Sequence, residues 1–278
     1  MILELPEDWR RRWAGSDPFE AVMSLEGDVF KSRQGRSTFR FELDGRPYFA
    51  KLHRGIGWRI LLRYLAQLRW PVVSARSEWR ALQRLPQIGV PTMKLVAYGE
   101  RGWNPARRQS FIVTEALEPT VNLEDHCRPW RGRPPAPSHK RALIAEVARI
   151  ARQIHEHGLN HRDFYLCHLL LQLAADGAPP PGPPTLYLID LHRVQQRRRL
   201  PWRWRVKDIA GLYFSSRPAG LTRTDRVRFM TAYTGRPLRE TLRCDGAFWR
   251  RVARKAEAFQ REFARKHPQL AGACRPSD

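Results

Sequence analysis

Acidic residues are scarce in this sequence. Its 278 residues include 27 Asp and Glu against 50 Lys and Arg, so the formal net charge is +23 at pH 7. A chain with this excess of positive charge is expected to work with an anionic partner. Nucleic acid, a phospholipid surface, a phosphorylated substrate and an acidic protein all meet that description, and the charge alone does not choose among them.

Cysteine is also rare. The four cysteines stand far apart and form no CxxC pair; they are Cys127, Cys167, Cys244 and Cys274. This pattern argues against a disulfide framework or a zinc site and favours free thiols in a reducing compartment.

Long apolar runs are missing as well. No run approaches the ~20 residues that a membrane-spanning helix needs, and the N-terminus has no apolar core of signal-peptide length. We therefore expect a soluble, cytoplasmic protein. With 42% hydrophobic and 10% aromatic residues it can still build a core, as one large domain or as two lobes.

The first 118 residues predict a lobe made of a five-stranded antiparallel sheet and a helix. Residues 29–53 alternate in polarity and contain two turn signals, around Gly35 and at Asp44-Gly45, which predicts three antiparallel strands. A helix is expected over 76–85, where apolar residues recur at helical spacing. Two further strands follow it.

Residues 119–278 predict a second, mainly helical lobe. A Pro-rich hinge over 119–137 precedes a helix with Ser138 as its N-cap and Gly158 at its end. Two strand-like stretches then flank a Pro-rich loop, and helices follow, the last from about Asp245. The predicted class is α+β, a bilobal protein-kinase-like fold with an antiparallel β-rich N-lobe, a mainly helical C-lobe and the active site in the cleft. Such a fold does not by itself fix function.

The stretch "NHRDFYLCHLLL" is the first candidate for chemistry. It places Asp163 after His161 and Arg162 and before an apolar run, as in the catalytic loop of a kinase. In phosphoryl transfer such an Asp orients the acceptor hydroxyl and can take its proton. On the tripeptide alone, an ordinary polar turn is an open alternative.

Two carboxylates later in the chain fit the same interpretation. Asp190 ends the apolar strand "LYLID", 27 residues after Asp163. A carboxylate at the end of a strand suits Mg²⁺, which prefers oxygen ligands, although a turn Asp is the alternative. Asp208 in "VKDIAGL" is interpreted either as a buried carboxylate that braces the catalytic loop or as a helix N-cap.

Lys51 ends the third predicted strand, in "YFAKLH", where a lysine reaches the phosphates of ATP. Glu78, on the helix that follows, is expected to pair with Lys51 and hold it in place. The alternative is a solvated surface pair worth ~0–1 kcal/mol. Together with Asp163 and Asp190, the two residues occur in the right order on the right elements, which favours a nucleotide site.

Two positions depart from a standard protein kinase. A single glycine, Gly35, stands where a GxGxxG loop is usual, so phosphate contacts there would come from backbone N–H groups and from Arg36. His168 stands five residues after Asp163, where a metal-binding Asn is usual. Imidazole suits Mg²⁺ less well than oxygen does. We expect His168 to be a weaker ligand, to bond Asp190, or to be a core-facing histidine.

A basic amphipathic insert, residues 54–75, separates Lys51 from Glu78. A helical wheel places Leu61, Tyr64, Leu65 and Leu68 on one face and Arg59, Arg63 and Gln67 opposite. The segment is interpreted either as a membrane-surface element or as a helix that packs on the core of the N-lobe. Arg- and Trp-rich stretches elsewhere suit lipid headgroups or RNA equally.

In these motifs the chain resembles the lipopolysaccharide core heptose(I) kinases, members of the protein-kinase-like superfamily. The resemblance runs through most of the chain and is densest in "YFAKLHRGIGW", "NHRDFYLCHLLL", "IDLHR" and "KDIAGLYFS". Within the family pattern His168 is the expected residue, so its presence does not indicate inactivation.

The resemblance implies an ATP- and Mg²⁺-dependent phosphotransferase that acts on the 4-hydroxyl of the first heptose of the inner core. The acceptor would be a lipid A–core intermediate on the inner face of the cytoplasmic membrane of a Gram-negative cell, where the enzyme would be peripheral. This anionic membrane and acceptor account for the net charge of +23 without nucleic acid. An acidic helical protein such as acyl carrier protein is a further expected partner.

The same resemblance assigns roles to the residues that carry the motifs. Catalysis is assigned to Asp163, metal binding to Asp190, phosphate anchoring to Lys51 and Glu78, and adenine binding to the backbone around Glu115 and Leu117. Apart from the resemblance, we expect His161 and Asp208 to support the loop of Asp163 and His168 to be a second metal ligand. Two alternatives stay open. One is a kinase for another acceptor, such as a Kdo residue or a protein, and the other is a non-catalytic kinase-like module that binds lipid or RNA.

Overall fold

The structure is a computed structural model that describes residues 1–33, 35–68 and 71–271. Cys274, Gln34 of the first predicted turn and residues 69 and 70 of the basic insert lie outside the described residues. No helix among the described residues is both long and apolar enough to cross a membrane, and no cysteine among them is paired in a disulfide.

The chain divides into two compact units. The first comprises Met1–Pro86, Thr92–Leu117 and Asp190–Arg193, and the second comprises Gln87–Pro91, Glu118–Ile189 and the residues from Val194 onward. The first unit holds an antiparallel sheet and the second is mainly helical, so the predicted α+β class is confirmed. The predicted division at residue 118 misses two short segments. Gln87–Pro91 belongs to the second unit, and Asp190–Arg193 belongs to the first.

The first unit is built on a six-stranded antiparallel sheet with the strand order β1-β5-β6-β4-β3-β2. Its strands are β1 (Ile2–Glu4), β2 (Asp28–Arg33), β3 (Arg36–Leu43), β4 (Arg46–His53), β5 (Leu95–Arg101) and β6 (Gln109–Glu115). Its helices are α1 (Glu7–Arg12), α2 (Pro18–Met23), α3 (Gly57–Ala66) and α4 (Arg76–Gln87). The prediction of five strands was wrong because β1, with three residues, is too short to show the alternation that identifies a strand.

The β3–β4 hairpin follows directly from its sequence. Asp44 and Gly45 connect the strands with φ angles of 52° and 72°, and Leu43 pairs with Arg46 across the turn. Two consecutive residues with positive φ form a two-residue turn whose twist matches that of the strands, which is why Asp-Gly is favoured there. The predicted turn is confirmed.

One face of the sheet packs against α1 and α2. Trp9 from α1 lies 5.5 Å from the ring of Tyr48 on β4, and Phe19 from α2 is fully buried in the same core. Neither helix was predicted from the sequence, although the start of α2 carries a recognisable signal. Asp17 accepts a hydrogen bond from the N–H of Phe19, and Pro18 occupies the first helical position.

The opposite face of the sheet carries α4. Trp79 stacks on Tyr98 of β5 with ring centroids 4.6 Å apart. The N–H of Ala75 donates a hydrogen bond of 2.9 Å to the hydroxyl of Ser110 on β6. Because alternate residues of a strand face opposite sides of the sheet, these contacts bring α4 to the face that carries Lys51.

The second unit combines short strands with longer helices. Its strands are β7 (Thr120–Asn122), β8 (Leu159–Asn160), β9 (Leu169–Gln172), β10 (Leu186–Leu188) and β11 (Gln195–Gln196), in the sheets β10-β9-β7 and β11-β8. Its helices are α5 (Leu123–Cys127), α6 (Pro137–Glu156), α7 (Trp202–Ser216), α8 (Arg223–Thr234), α9 (Leu238–Lys266) and α10 (Pro268–Ala271). Phe214 of α7 lies 6.2 Å from Phe259 and 5.8 Å from Phe263, so α9 packs an apolar face on α7.

Three predicted boundaries in the second unit were wrong. Helix α6 begins at Pro137 instead of after Ser138, because proline is favoured at the first helical position. Helix α9 begins at Leu238, well before Asp245, because the polar residues of its first turns hide the apolar spacing. The predicted hinge over 119–137 contains β7, which pairs with β9, and α5.

An apolar cavity of about 560 Å³ lies within the second unit. Its walls come from α6, α7, α8 and α9 and include Leu143, Leu212, Phe229 and Val252. A cavity of this size falls within the range of small-molecule pockets, which are usually lined by apolar side chains.

Gly99 offers a stability test of the aromatic core in the first unit. A Cβ at this position would lie 2.4 Å from Cε1 of Phe111 and 3.0 Å from Cδ2 of Phe19. We predict that Gly99→Ala lowers the free energy of unfolding by about 1–3 kcal/mol, because overpacking strains side chains and backbone. Urea denaturation followed by circular dichroism measures the change.

The control for this prediction is Gly132→Ala, since a Cβ at Gly132 would meet no atom within 4 Å. Its free energy of unfolding should stay close to that of the wild type. The double variant Gly99→Ala/Phe111→Leu should be more stable than the sum of the two single changes predicts, because Leu leaves room for the added methyl group. Strict additivity of the two changes would contradict the overpacking argument.

Candidate active site

Lys51 and Glu78 form a short ion pair in the first unit. Nζ of Lys51 donates to Oε1 of Glu78 at 2.6 Å, and the side chain of Glu78 is 1% exposed. Burial by itself lowers the pKa of Lys51, but the attraction of Glu78 and of Asp190 outweighs it and holds this pKa above its usual value. Lys51 is therefore a fixed positive charge positioned by β4 and α4.

A pocket of about 80 Å³ surrounds this pair. Its lining residues all belong to the first unit and are Arg36, Ser37, Thr38, Lys51, His53, Glu78, Asp190 and His192. Arg36 pairs with His53 across β3 and β4, which places both side chains on one face of the sheet. The structure thus brings the Lys51–Glu78 pair together with Asp190 and with cationic groups that suit phosphate.

Asp190 follows β10 in a left-handed backbone conformation. Its φ is 58°, which is uncommon for a residue other than glycine. Nδ1 of His192 lies 2.5 Å from Oδ1 of Asp190 and orients the carboxylate. Backbone strain of this kind costs of order 1–3 kcal/mol and is concentrated at functional sites.

His53 is a buried imidazole in the same pocket. It is 5% exposed, and its Nδ1 has no hydrogen-bond partner among the described residues. Burial, together with the charges of Arg36 and Lys51, lowers the pKa of His53 to about 3. The ring is therefore neutral near pH 7.

In the second unit, a buried carboxylate holds the loop that carries Asp163. Asp208 is 1% exposed and accepts hydrogen bonds from the backbone N–H groups of His161 at 2.7 Å and Arg162 at 2.8 Å. Arg162 has a φ of 74°, so the two bonds support a strained turn next to Asp163. The N-cap interpretation of Asp208 was wrong, because the residue lies inside α7. Its catalytic importance stays a prediction.

Behind Asp208 lies a buried pair that the sequence analysis missed. Nε2 of His155 lies 3.4 Å from Oδ2 of Asp208, and Nδ1 of His155 lies 2.8 Å from the hydroxyl of Tyr233. Burial raises the pKa of Tyr233 to about 12, so its hydroxyl keeps its proton. The only signal in the sequence is that His155 follows Ile154 on the buried face of α6.

His168 bonds the loop that carries Asp163. Its Nδ1 lies 2.7 Å from the carbonyl oxygen of Asp163. Because a carbonyl oxygen only accepts, Nδ1 carries the proton, and in the neutral ring Nε2 is the nitrogen that can accept or ligate. Metal-binding histidines commonly donate to a carbonyl in this way, so the geometry is compatible with the metal role that was predicted.

His161 also holds the loop in place, with Nε2 at 2.9 Å from the carbonyl oxygen of Ile189.

The guanidinium of Arg162 lies against an aromatic ring. Its carbon is 5.5 Å from the ring centroid of Trp204, and the guanidinium carbons of Arg197 and Arg203 lie at 5.3 and 5.5 Å. The face of an aromatic ring attracts a cation at this distance. Trp204 of α7 therefore contacts the loop that carries Asp163.

Gly35 is explained by packing within the first unit. Its φ is 74°, and a Cβ there would lie 2.2 Å from the carbonyl oxygen of Gly55. A glycine is required at this position whether or not phosphate binds. The predicted phosphate contact of the Gly35 backbone therefore stays a prediction.

The backbone groups predicted to receive adenine are partly engaged. The N–H groups of Glu115 and Ala116 donate to the carbonyl oxygens of Lys94 and Pro47. These two N–H groups are therefore already bonded within the first unit. The adenine role of Glu115 and Leu117 stays a prediction.

His53 and His192 line the pocket although the sequence analysis gave neither a role there. His53 stands two residues after Lys51, and the period of a strand places both side chains on one face of β4. That spacing is a signal that sequence reasoning can use. His192 has no comparable signal, since its approach to Asp190 depends on the turn after β10.

Comparison with known proteins places the chain in a family. Residues 20–233 match the Lipopolysaccharide kinase (Kdo/WaaP) family. The chain is 51% identical over 257 residues to the lipopolysaccharide core heptose(I) kinase WaaP of Pseudomonas aeruginosa, an alignment that covers 92% of this chain and 95% of that protein. It is 45% identical over 265 residues to the protein of the same name from Escherichia coli, with 95% and 99% covered.

A solved structure supports the same relationship. The structure of WaaP in complex with acyl carrier protein matches this chain with a TM-score of 0.78 and 48% sequence identity. The match covers 93% of this chain and 99% of that chain. At this level of identity the similarity extends beyond the fold.

The neutral state of His53 predicts a pH dependence of stability. In an unfolded chain the pKa of histidine is about 6.5, whereas the pKa of His53 in the folded protein is about 3. Between these values the unfolded chain binds one more proton at this site, so the free energy of unfolding falls as the pH is lowered. We predict a contribution of about 1.4 kcal/mol per pH unit below about pH 6.5, measured by urea denaturation.

Two variants isolate the contribution of His53. His53→Gln removes the titrating ring, so the slope of unfolding free energy against pH should be smaller than in the wild type. His157→Gln removes an exposed histidine and should keep the wild-type slope. Equal slopes in the wild type and His53→Gln would show that the folded protein does not keep His53 neutral.

Proposed function

Because the chain belongs to the Lipopolysaccharide kinase (Kdo/WaaP) family, we propose that it transfers the γ-phosphoryl group of ATP to the 4-hydroxyl of the first heptose of the lipopolysaccharide inner core. Family membership confirms the resemblance in the motifs and makes the chain a phosphotransferase for a sugar hydroxyl. The acceptor in the proposal comes from the names of the relatives. The structural observation that supports it best is the pocket that joins Lys51, Glu78 and Asp190.

Lys51 is proposed to bind the phosphates of ATP. The ion pair with Glu78 keeps its Nζ in one place, and its raised pKa keeps it charged. Arg36, across the hairpin, adds a guanidinium that matches phosphate oxygens. His53 lines the same pocket and is neutral near pH 7, so it adds no charge there.

Asp190 is proposed to bind Mg²⁺, and its carboxylate offers the oxygen atoms that this ion prefers. Among the described residues, no group of three or more His, Cys, Asp or Glu side chains is arranged to hold a metal. Mg²⁺ bound with a nucleotide needs only one or two carboxylates, because phosphates and waters complete its shell. His168 would be a secondary ligand through Nε2. When bound, Mg²⁺ neutralises phosphate charge.

Asp163 is proposed to orient the acceptor hydroxyl and to accept its proton as the phosphoryl group is transferred. A carboxylate does this only if its position is fixed. The two backbone hydrogen bonds to Asp208 and the bond from His168 to the carbonyl of Asp163 hold the loop. His155 and Tyr233 hold Asp208 in turn.

The enzyme is also proposed to work on the inner face of the cytoplasmic membrane of a Gram-negative cell. A lipid A–core acceptor carries phosphates and carboxylates and is anchored in an anionic bilayer. The net charge of +23 suits this surface. Under this proposal the positive charge serves the lipid acceptor and the membrane, so nucleic acid is not needed to explain it.

Two alternative functions would use the same pocket and loop residues. The family description includes Kdo, so a Kdo sugar is the second candidate acceptor, and acceptor profiling separates the two. A non-catalytic module for lipid or RNA would bind nucleotide without turnover.

Acyl carrier protein is proposed as a partner. A relative with 48% identity was solved in complex with acyl carrier protein, and an acidic protein complements a chain of net charge +23. The apolar cavity of about 560 Å³ offers a place for an acyl chain that such a partner carries.

The proposed reaction predicts transfer of phosphate from ATP to core lipopolysaccharide that lacks phosphate on heptose(I). Asp163→Asn should lower kcat by about 10²–10⁴-fold, because the acceptor hydroxyl loses its base. Lys51→Met should raise KM for ATP. Radiolabelled phosphate measures transfer, and mass spectrometry of the core locates the phosphate.

Lys266→Met is the matched control. It removes an exposed pair with Glu262 that has the same 2.6 Å length as the Lys51–Glu78 pair, so activity should not change. The proposal fails if the wild type transfers no phosphate or if Asp163→Asn transfers it equally well. Phosphate found on Kdo would favour the second candidate acceptor.

The partner proposal predicts that purified acyl carrier protein binds the chain at low ionic strength. Association should be detectable at ~50 mM salt and should weaken as salt screens the charges. A long-chain acylated form should bind more tightly than the unacylated form, because only the former fills the cavity. Size-exclusion chromatography and calorimetry measure both effects. Absence of binding at ~50 mM salt would contradict the partner, and equal affinity of both forms would contradict the role of the cavity.

A further inference from the structure

Helix α3 exposes an apolar stripe. Trp58, Leu62 and Leu65 are 51%, 58% and 40% exposed. They recur at i, i+4 and i+7 and therefore lie along one side of the helix. Leu68, just after the helix, is 97% exposed. Single exposed apolar side chains are normal, but a contiguous row of large ones marks an interaction surface.

The folded protein does not need this stripe for its packing. Helix α3 is attached through Leu61, which is 2% exposed and packs with Ile56 and Ala106. The sequence analysis placed Leu65 and Leu68 on the same face as Leu61. Leu61 is buried and the other two are exposed, so only part of that predicted face packs on the first unit.

Arginines flank the stripe and acidic residues are missing. Arg59 and Arg63 follow Trp58 and Leu62 by one position, which places them about 100° further round the helix. Both arginines are exposed. Residues 54–68 contain three arginines and no Asp or Glu. One side of α3 is therefore apolar and the adjacent side is cationic.

The loop of residues 102–108, next to α3, also exposes apolar and basic side chains. Residues 102–108 approach α3 through Ala106, whose carbonyl oxygen accepts a hydrogen bond of 2.9 Å from the N–H of Gly57. The loop carries Trp103, which is 87% exposed, and the exposed Arg107, and it contains no acidic residue. The apolar and basic surface thus extends beyond the helix.

We propose that α3 is an interfacial helix that docks the protein on an anionic phospholipid bilayer. Trp58, Leu62 and Leu65 enter the boundary between headgroups and acyl chains, and Arg59 and Arg63 bind lipid phosphates. The inference rests on the proposed function in one respect, because the proposed acceptor is held in such a bilayer.

The shape and composition of the surface favour a bilayer over an acidic protein. The stripe runs along a single helix, as an element lying flat in a membrane surface requires. Tryptophan prefers the headgroup region, and guanidinium forks match phosphates bidentately.

Vesicle sedimentation tests the inference. The wild type should bind vesicles of phosphatidylcholine mixed with phosphatidylglycerol and should not bind vesicles of phosphatidylcholine alone. Leu62→Gln/Leu65→Gln should weaken binding to the anionic vesicles by roughly tenfold or more, because the variant loses two inserting side chains. The melting temperature should stay unchanged, since both residues are exposed.

Val29→Gln is the matched control, because Val29 is 64% exposed in the same unit but lies on β2. It should bind the anionic vesicles like the wild type. Wild-type binding by Leu62→Gln/Leu65→Gln would overturn the inference. Loss of binding to purified acyl carrier protein by this variant, with vesicle binding intact, would also overturn it, because the stripe would then be a protein-docking face.

An activity measurement separates this inference from the proposed reaction. With core oligosaccharide freed of its acyl chains, Leu62→Gln/Leu65→Gln should phosphorylate the acceptor at the wild-type rate. With lipopolysaccharide embedded in vesicles, the same variant should lose activity in parallel with vesicle binding. If the wild type phosphorylates neither acceptor, the proposed reaction fails, while the sedimentation result still decides the role of α3.

Discussion

The ion pair of Lys51 and Glu78 is the interaction on which the pocket of the first unit depends. A lysine on a strand can adopt many rotamers, and the buried carboxylate of Glu78 selects one of them. Removing Lys51 would leave the buried carboxylate of Glu78 uncompensated, and the loss of one partner from a buried ion pair typically costs about 3–5 kcal/mol. Every contact that positions α4, including the stacking of Trp79 on Tyr98, therefore also positions the charge that faces the pocket.

In the second unit, a buried carboxylate likewise fixes the position of a loop. Asp208 accepts two backbone hydrogen bonds from the loop before Asp163 and is itself approached by His155, which contacts Tyr233. A buried polar network specifies one conformation when its members are bonded to each other. It also supports the left-handed backbone of Arg162, which local sequence preference does not favour.

Sequence patterns revealed the residues that stand on elements with a clear period. Lys51 and Glu78 were found because β4 alternates and α4 has helical spacing, and Asp-Gly predicted the hairpin between β3 and β4. Helices α1 and α2 were missed, because each has six residues and too few turns to show a period. His155 was missed for a different reason. Its partners stand 53 and 78 residues away along the chain, so no local pattern reveals the network.

Trp204 gives the second unit an intrinsic optical reporter. Its indole lies against the guanidinium of Arg162, a residue of the loop that carries Asp163. Indole emission responds to nearby charge, so a rearrangement of this loop alters the surroundings of a chromophore that the fold already contains. The chain has ten tryptophans, and the difference between the spectra of the wild type and Trp204→Phe isolates this one. A change in the conformation of this loop would therefore alter the emission of a tryptophan that the fold already contains, without an added label.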